Sequence, residues 1–144
     1  MVRSSRSRQG MVRRKPAHVH VRRFDGLGPT REGNLGGGQF MEFQLVDDAL
    51  SKDPKFQTGA IFGVIAPDPR PKATLEQWHR VAIRLDKRHL RVVFDDQQIM
   101  FTNLDDHKER FGPFLGLTKT TGRIGLQLYP GRIEFREIRV RELK

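Results

Sequence analysis

The sequence contains no cysteine, and this absence removes several chemistries at once. Neither a disulfide nor a thiolate nucleophile can form, and the structural zinc sites that use cysteine ligands are excluded. The cellular compartment is not fixed by this absence, because reduced and oxidising compartments both contain proteins without cysteine.

The chain also lacks a long apolar run. No stretch approaches the roughly 20 apolar residues that a membrane-spanning helix needs, and the N-terminus has no apolar core of the kind found in signal peptides. The sequence as it begins therefore predicts a cytoplasmic protein, whereas a true start further upstream would make a periplasmic or extracellular location the expectation.

Acidic residues are missing from the first 24 positions, which contain eight Arg or Lys. These eight supply most of the formal net charge of +10, since residues 25–144 contain 19 basic and 17 acidic residues. The Ser- and Arg-rich opening cannot bury enough apolar surface to offset its chain entropy. We predict a disordered basic tail over residues 1–16 and one folded domain over residues 17–144.

Such a tail suggests a nucleic-acid-associated protein, because clustered cations bind nucleic acid or anionic lipid through salt-sensitive attraction. No pattern of interleaved aromatic and basic residues follows the tail, however, and a start codon assigned too far upstream would give the same composition. Nucleic acid is therefore the less favoured partner.

Short runs of alternating apolar and polar residues make up the rest of the chain and predict an all-β fold. Residues 17–24, 40–47 and 60–65 are predicted strands, the last one central because it is apolar on both faces. In the second strand, Met41, Phe43 and Leu45 should point inward, with Glu42 and Gln44 on the opposite face.

Two tight turns organise the middle of the chain. Lys87 and Arg88 separate two alternating runs, which predicts a hairpin. Asp95 and Asp96 form the second turn, and a further short strand follows it. One helical turn is expected near His107.

The closing stretch, residues 122–140, is predicted to form a hairpin around Pro130 and Gly131. This pairing turns one set of side chains to the core and leaves the other face for a ligand. The inward set is Leu126, Leu128, Ile133 and Phe135, and the outward set is Gln127, Tyr129, Arg132, Glu134 and Arg136. The apolar parity then changes, which predicts a β-bulge near Arg136 and Glu137.

Four segments in order, residues 31–48, 58–67, 77–107 and 122–143, resemble the 3-keto-disaccharide hydrolase domain family. The resemblance implies a concanavalin-like or laminin-G-like β-sandwich of the jelly-roll type. Three departures stand out: the family's N-terminal strands have no counterpart, Tyr129 replaces a common His, and Gly28 stands near the place of a usual Arg. The first departure predicts an incomplete sandwich with an exposed sheet edge that favours pairing with another chain.

The resemblance also implies hydrolysis of glycosides oxidised to a ketone at sugar carbon 3. This reaction needs a base, a stabiliser of the enolate oxygen and an acid for the leaving group. The residues implied as catalytic are Glu42 as the base, Arg136 at the enolate, and Glu134. The substrate-binding candidates are Gln44, Gln127 and Tyr129, together with Trp78, whose ring could stack on a sugar, and Asp47 at the end of a predicted strand.

Each of these residues also has an ordinary structural explanation. Polar residues that alternate on a sheet usually face water, Asp47 with Asp48 is typical of a turn, and a single Trp is commonly part of the core. No cofactor is required by the sequence, although Asp47 and Asp48 suit a hard divalent cation and His18 with His20 gives an incomplete metal motif. The main rival function is a non-catalytic carbohydrate-binding module on the same scaffold.

Overall fold

A computed structural model describes residues 19–23, 40–112, 114–120, 124–127 and 132–143. The predicted tail over residues 1–16, the residues His18 and Tyr129, and the turn at Pro130 and Gly131 lie outside the described residues.

The described residues form an antiparallel sheet, as expected for an all-β chain. Its five strands are β1 (Val19–Arg23), β2 (Trp78–Asp86), β3 (His89–Phe94), β4 (Gln97–Asn103) and β5 (Ile133–Arg136). Their order across the sheet is β4-β3-β2-β1-β5, and every neighbouring pair is antiparallel. Short 3₁₀ helices span Asp48–Leu50, Pro54–Phe56, Leu104–Arg110 and Leu115–Thr118.

Both predicted turns in the middle of the chain are confirmed. Strands β2 and β3 are joined at Lys87 and Arg88, where Lys87 has φ of 55°. Strands β3 and β4 are joined at Asp95 and Asp96, with φ of 45° and 71°. Two consecutive residues with positive φ give the turn whose twist matches that of the flanking strands, and Asp tolerates this conformation better than most side chains.

One face of the sheet carries the hydrophobic core. Alternate residues of β2 and β3 are buried there, among them Val81, Leu90 and Val92. The segment of residues 41–65 covers this face, and the predicted inward set of Met41, Phe43 and Leu45 packs against the core. The inward orientation is confirmed, but residues 40–47 do not form a regular strand, because their one ladder contact is an isolated bridge between Phe43 and Ile61.

The prediction of a central strand at residues 60–65 is wrong. Ile61 and Ile65 hydrogen-bond to each other, with the two N–H···O distances at 2.9 and 3.0 Å, so the chain reverses between them. Gly63 makes this reversal possible with φ of 70°, a left-handed conformation that costs glycine little. Ala60, Ile61, Val64 and Ile65 are all buried, and an apolar run of this length does not distinguish a buried strand from a buried turn.

The expected pairing of residues 124–127 with β5 is also wrong. Strand β5 pairs with β1, whereas residues 124–127 are exposed and belong to no strand. Leu126, predicted to point inward, is 51% exposed, although Ile133 and Phe135 do pack against the core. Local turn chemistry favoured a hairpin, but the partner of β5 among the described residues is β1.

The sequence predicted a β-bulge near Arg136 and Glu137, and the described residues show the end of a strand there instead. The strand ends at Arg136, and Glu137 follows with a left-handed φ of 52°. No helix in the described ranges is long and apolar enough to cross a membrane.

Candidate active site on the polar face of the sheet

Three of the residues implied by the resemblance meet on the face of the sheet opposite the core. Trp78 of β2 and Glu134 of β5 both stand opposite Arg22 of the intervening β1, so they occupy one row across the sheet. Arg136 lies two residues along β5, on the same face. We call Trp78, Glu134 and Arg136 the tryptophan cluster.

The centre of this cluster is a stack of a cation on an aromatic ring. The Arg136 guanidinium carbon lies 4.0 Å from the centroid of the Trp78 ring, within the range of a cation–π interaction. A guanidinium held over an indole ring at this distance loses much of its rotational freedom. The pairing therefore fixes a positive charge at a defined place on the polar face.

A carboxylate lies beside this cation on the same strand. Glu134 is partly buried, and its Oε1 accepts hydrogen bonds from Nε and Nη2 of Arg132 at 3.0 and 2.6 Å. Two N–H groups of one guanidinium bonded to one carboxylate oxygen form a charge-assisted contact. The cluster thus brings an anion, a cation and an aromatic surface together.

Glu42 lies on the segment that covers the core, and not on one of the five strands. Its backbone carbonyl accepts a hydrogen bond from the N–H of Phe62 at 3.0 Å. Its side chain is partly buried, and this burial raises the pKa of the carboxyl above its ordinary value. A raised pKa suits a group that takes up a proton near neutral pH.

The described sheet therefore does not bring Glu42 and Arg136 together as strands of one sheet. Arg136 faces away from the core, whereas Glu42 belongs to the segment that covers the core face. Their convergence on one hollow, which the resemblance implies, is not seen among the described residues and stays a prediction. Gln44 accompanies Glu42 on the same segment, where its backbone N–H donates to the carbonyl of Ala60 at 2.9 Å.

The other implied residues have different surroundings. Asp47 begins the 3₁₀ helix Asp48–Leu50 and accepts a hydrogen bond from the N–H of Ala49, which is the turn interpretation of this residue. Asp48 accepts from the N–H of Thr58 at 2.8 Å. Gln127 is exposed and outside any strand, and Tyr129 lies outside the described residues.

A buried histidine, His79, lies next to Trp78 on the core side of β2, and its hydrogen-bond partners were not predicted from the sequence. His79 is 5% exposed; its Nδ1 lies 2.5 Å from Asp95 Oδ2 and its Nε2 lies 2.7 Å from the carbonyl oxygen of Thr74. The sequence contained a signal for this contact, because the predicted turn places Asp95 and Asp96 opposite the start of β2. His79 ties this turn and the preceding loop to the strand that carries Trp78.

Metal ligation has no support in the described ranges, where no three His, Asp or Glu side chains come together as a ligand set. His18, half of the incomplete metal motif, lies outside those ranges.

Comparison with known proteins agrees with the resemblance in the sequence. Residues 23–141 match the family model of the 3-keto-alpha-glucoside-1,2-lyase-like domain, which corresponds to the 3-keto-disaccharide hydrolase family. The chain belongs to this family. The match includes the whole tryptophan cluster and Glu42.

Two solved structures share the fold at low sequence identity. Both come from Parabacteroides distasonis ATCC 8503 and are named "putative glycosyl hydrolase". One has a TM-score of 0.72 at 13% identity over 88% of this chain and 70% of its own. The other has a TM-score of 0.52 at 14% identity over 62% of this chain, and the match spans half of its own length. No curated protein sequence matches the chain.

Proposed function

We propose that this domain is a carbohydrate-active enzyme that cleaves α-glucosides already oxidised to a ketone at carbon 3. Family membership supports the substrate class, and the tryptophan cluster supports the chemistry. The proposal includes a concanavalin-like sandwich, in which the described sheet is one layer and its polar face carries the site.

The proposed reaction is an elimination followed by addition of water. A ketone at carbon 3 acidifies the proton on carbon 2, so a base removes that proton and the electron pair moves onto the carbonyl oxygen as an enolate. The enolate then re-forms the ketone as the carbon 1 to oxygen bond breaks, which leaves a double bond between carbons 1 and 2. The departing alkoxide takes up a proton, and water adds across the double bond to give the free 3-keto sugar.

Arg136 is assigned to the enolate in this scheme. A fixed cation aimed at a developing oxyanion stabilises the transition state more than the ground state, which is what accelerates a reaction. Trp78 is assigned a positioning role, because the guanidinium of Arg136 already covers one face of its ring. Sugar stacking on that face would require the arginine to leave.

Glu42 is assigned as the base that removes the proton from carbon 2 because the resemblance implies it, and this assignment requires its carboxyl to reach the substrate from the segment that covers the opposite face of the sheet. Its support is chemical: burial raises the pKa of this carboxyl, and a base with a raised pKa holds the abstracted proton more firmly. Glu134 is assigned to orient the substrate hydroxyls, because its carboxylate lies on the same face of β5 as Arg136 and a carboxylate accepts hydrogen bonds from hydroxyl groups.

The observation that carries the proposal is the stacked Arg136 on a sheet face that also holds a carboxylate. The test compares one α-linked disaccharide in two forms, oxidised and not oxidised at carbon 3, with chromatographic detection of the released sugars. We expect release from the oxidised form alone, and loss of that release in Glu42→Gln.

Two other results would overturn the proposal in different ways. Equal release from both forms would indicate direct displacement at carbon 1, for which the ketone is unnecessary. Calorimetric binding of the oxidised disaccharide without release would indicate the carbohydrate-binding module instead.

A further inference from the structure

A second group of residues occupies the same sheet face at its opposite end. Arg84 of β2 stands opposite Arg91 of β3, and Arg91 stands opposite Phe101 of β4, so the three form one row across the sheet. We call them the arginine–phenylalanine row. Arg84 is six residues from Trp78 on an unbroken strand, which puts the row on the same face and about 20 Å from the tryptophan cluster.

The row borders an open hollow of about 450 Å³. Asp86, Lys87 and His89 complete its lining, and Asp86 and His89 form the next row on the same face. A hollow of this volume has room for a small ligand or for part of a longer one.

The hollow has an excess of positive charge. Arg84 is paired with Asp86, with Nη2 and Oδ2 at 2.8 Å, so those two charges offset each other. Arg91 donates through Nε to the neutral amide oxygen of Gln98 at 2.8 Å. Among the described residues no carboxylate forms an ion pair with Arg91 or Lys87, which leaves two cations for an anionic ligand.

Phe101 is exposed through a specific backbone feature. Simple pairing from the turn at Asp95 and Asp96 would place Ile99 opposite Val92 and turn Phe101 into the core. Instead the register shifts between Val92 and Val93, so that Met100 stands opposite Val92 and Phe101 opposite Arg91. Ile99 and Met100 are both buried, and Phe101 is 68% exposed.

A bulge that exposes a phenyl ring beside cationic side chains needs an explanation, because an exposed large aromatic residue costs solvation free energy. Bulges often redirect a side chain beside a binding site. A flat ring suits the apolar face of a pyranose, and the neighbouring cations suit an acidic substituent on it.

We infer that the arginine–phenylalanine row is a second saccharide-binding site, which takes a sugar unit carrying a carboxylate or sulfate group. The ring of Phe101 stacks on the sugar, and Arg91 with Lys87 binds the anion. This inference rests on the proposed function for the class of ligand, since the two sites then hold distant parts of one saccharide.

The test is calorimetric titration of the wild-type chain with three oligosaccharides of equal length: a uronic-acid oligomer, a sulfated glucan oligomer and a neutral glucan oligomer. We expect an anionic oligomer to bind at least about tenfold more tightly than the neutral one, with affinity falling as salt rises. Which anionic oligomer binds identifies the acidic group. Equal affinity for all three would overturn the inference.

Substitutions then locate the site. Phe101→Ser and Arg91→Gln should each weaken binding of the anionic oligomer by about tenfold, whereas Phe101→Tyr should retain it. Lys52→Gln, which removes one exposed positive charge outside the row, should change affinity less than about twofold. An equal loss in Lys52→Gln and Arg91→Gln would show general attraction and contradict the inference.

Two further measurements separate this inference from its rivals. The first uses single-stranded DNA with the same charge as the anionic oligomer. If the DNA binds more tightly than the oligomer, and if Phe101→Ser and Arg91→Gln weaken its binding, the row is a nucleic-acid site and the saccharide assignment is wrong. Anionic binding without turnover of the 3-keto disaccharide would defeat the proposed reaction and leave the second site intact. Turnover without anionic binding would defeat the second site alone.

Discussion

The two ends of the polar face use arginine in opposite ways. At the tryptophan cluster, Arg136 is stacked on a ring and a carboxylate lies two residues away. At the arginine–phenylalanine row, Arg91 has a neutral amide as its partner and Phe101 is left uncovered. The first arrangement fixes a charge before a ligand arrives, whereas the second leaves charge and ring for the ligand to use.

This difference separates catalysis from binding in physical terms. A charge that stabilises a transition state is most effective when it needs no reorganisation during the reaction. A binding site gains affinity from groups that are not already satisfied by the protein. The predictions below test whether the tryptophan cluster has the fixed character that its geometry indicates.

The largest effect is expected at the cation of the tryptophan cluster. Arg136→Gln should lower kcat on the 3-keto disaccharide by about 10²- to 10³-fold, as for the loss of one oxyanion donor. Arg136→Lys should be intermediate, because an ammonium retains the charge but not the flat stack. Steady-state kinetics measure both, with Arg110→Gln as the control at an exposed arginine of the helix Leu104–Arg110. A similar kcat in Arg136→Gln and its control would contradict the assignment.

The next effect concerns the support beneath the cluster. His79→Ala removes two hydrogen bonds of a buried side chain, to Asp95 and to the carbonyl of Thr74. The free energy of unfolding should fall by about 1–3 kcal/mol, measured by urea denaturation. Lys72→Gln, at an exposed residue of the preceding loop, should leave the free energy of unfolding nearly unchanged. Equal stability of the two variants would show that the hydrogen bonds of His79 do not stabilise the fold.

A smaller effect measures the stack itself. A double-mutant cycle on Trp78 and Arg136 should give a coupling free energy of about 0.5–1 kcal/mol, typical of a partly exposed cation–π pair. The same cycle on Phe101 and Arg91 should give a coupling near zero, because Arg91 bonds to Gln98 instead. Equal coupling free energies for the two pairs would show that Arg136 is held by its ring no more firmly than Arg91 is.

The smallest effect is a stability change at Glu42. Burial raises the pKa of this carboxyl, so the folded protein keeps the proton to a higher pH than the unfolded chain. The resulting stabilisation is present at acidic pH and is lost as the pH rises through the raised pKa. Glu42→Gln should therefore raise Tm at neutral pH and leave little difference at about pH 3, where both forms are neutral. If Glu42→Gln had a lower Tm than the wild type at neutral pH, burial of the charged carboxylate would not be destabilising, contrary to this prediction.

The hairpins were predictable from the sequence because their information is local. Two residues at each turn and largely alternating runs on both sides indicate the pairing of β2, β3 and β4, with one exception. Ile99, Met100 and Phe101 are all apolar, so their pattern does not show which side chain the bulge turns outward, and the exposed position of Phe101 could not be predicted.

The segments that pair over long distances were predicted less well. The apolar run at residues 60–65 gives the same pattern whether it is a strand or a buried turn, and the choice depends on Gly63. The partner of β5 is β1, more than 100 positions earlier in the chain, and no local pattern records that pairing. Alternation predicted that Glu134 and Arg136 share a polar face, but their position beside Trp78 depends on the pairing of β5 through β1 with β2, which no local pattern contains.

The most direct test of the central claim follows the proton on carbon 2 during turnover in D₂O. If the domain works by elimination and hydration, NMR of the released 3-keto sugar will show deuterium at carbon 2, above the level found when the same sugar is incubated without the protein. Turnover with hydrogen retained at carbon 2 would contradict the proposed mechanism and the roles assigned to Glu42 and Arg136.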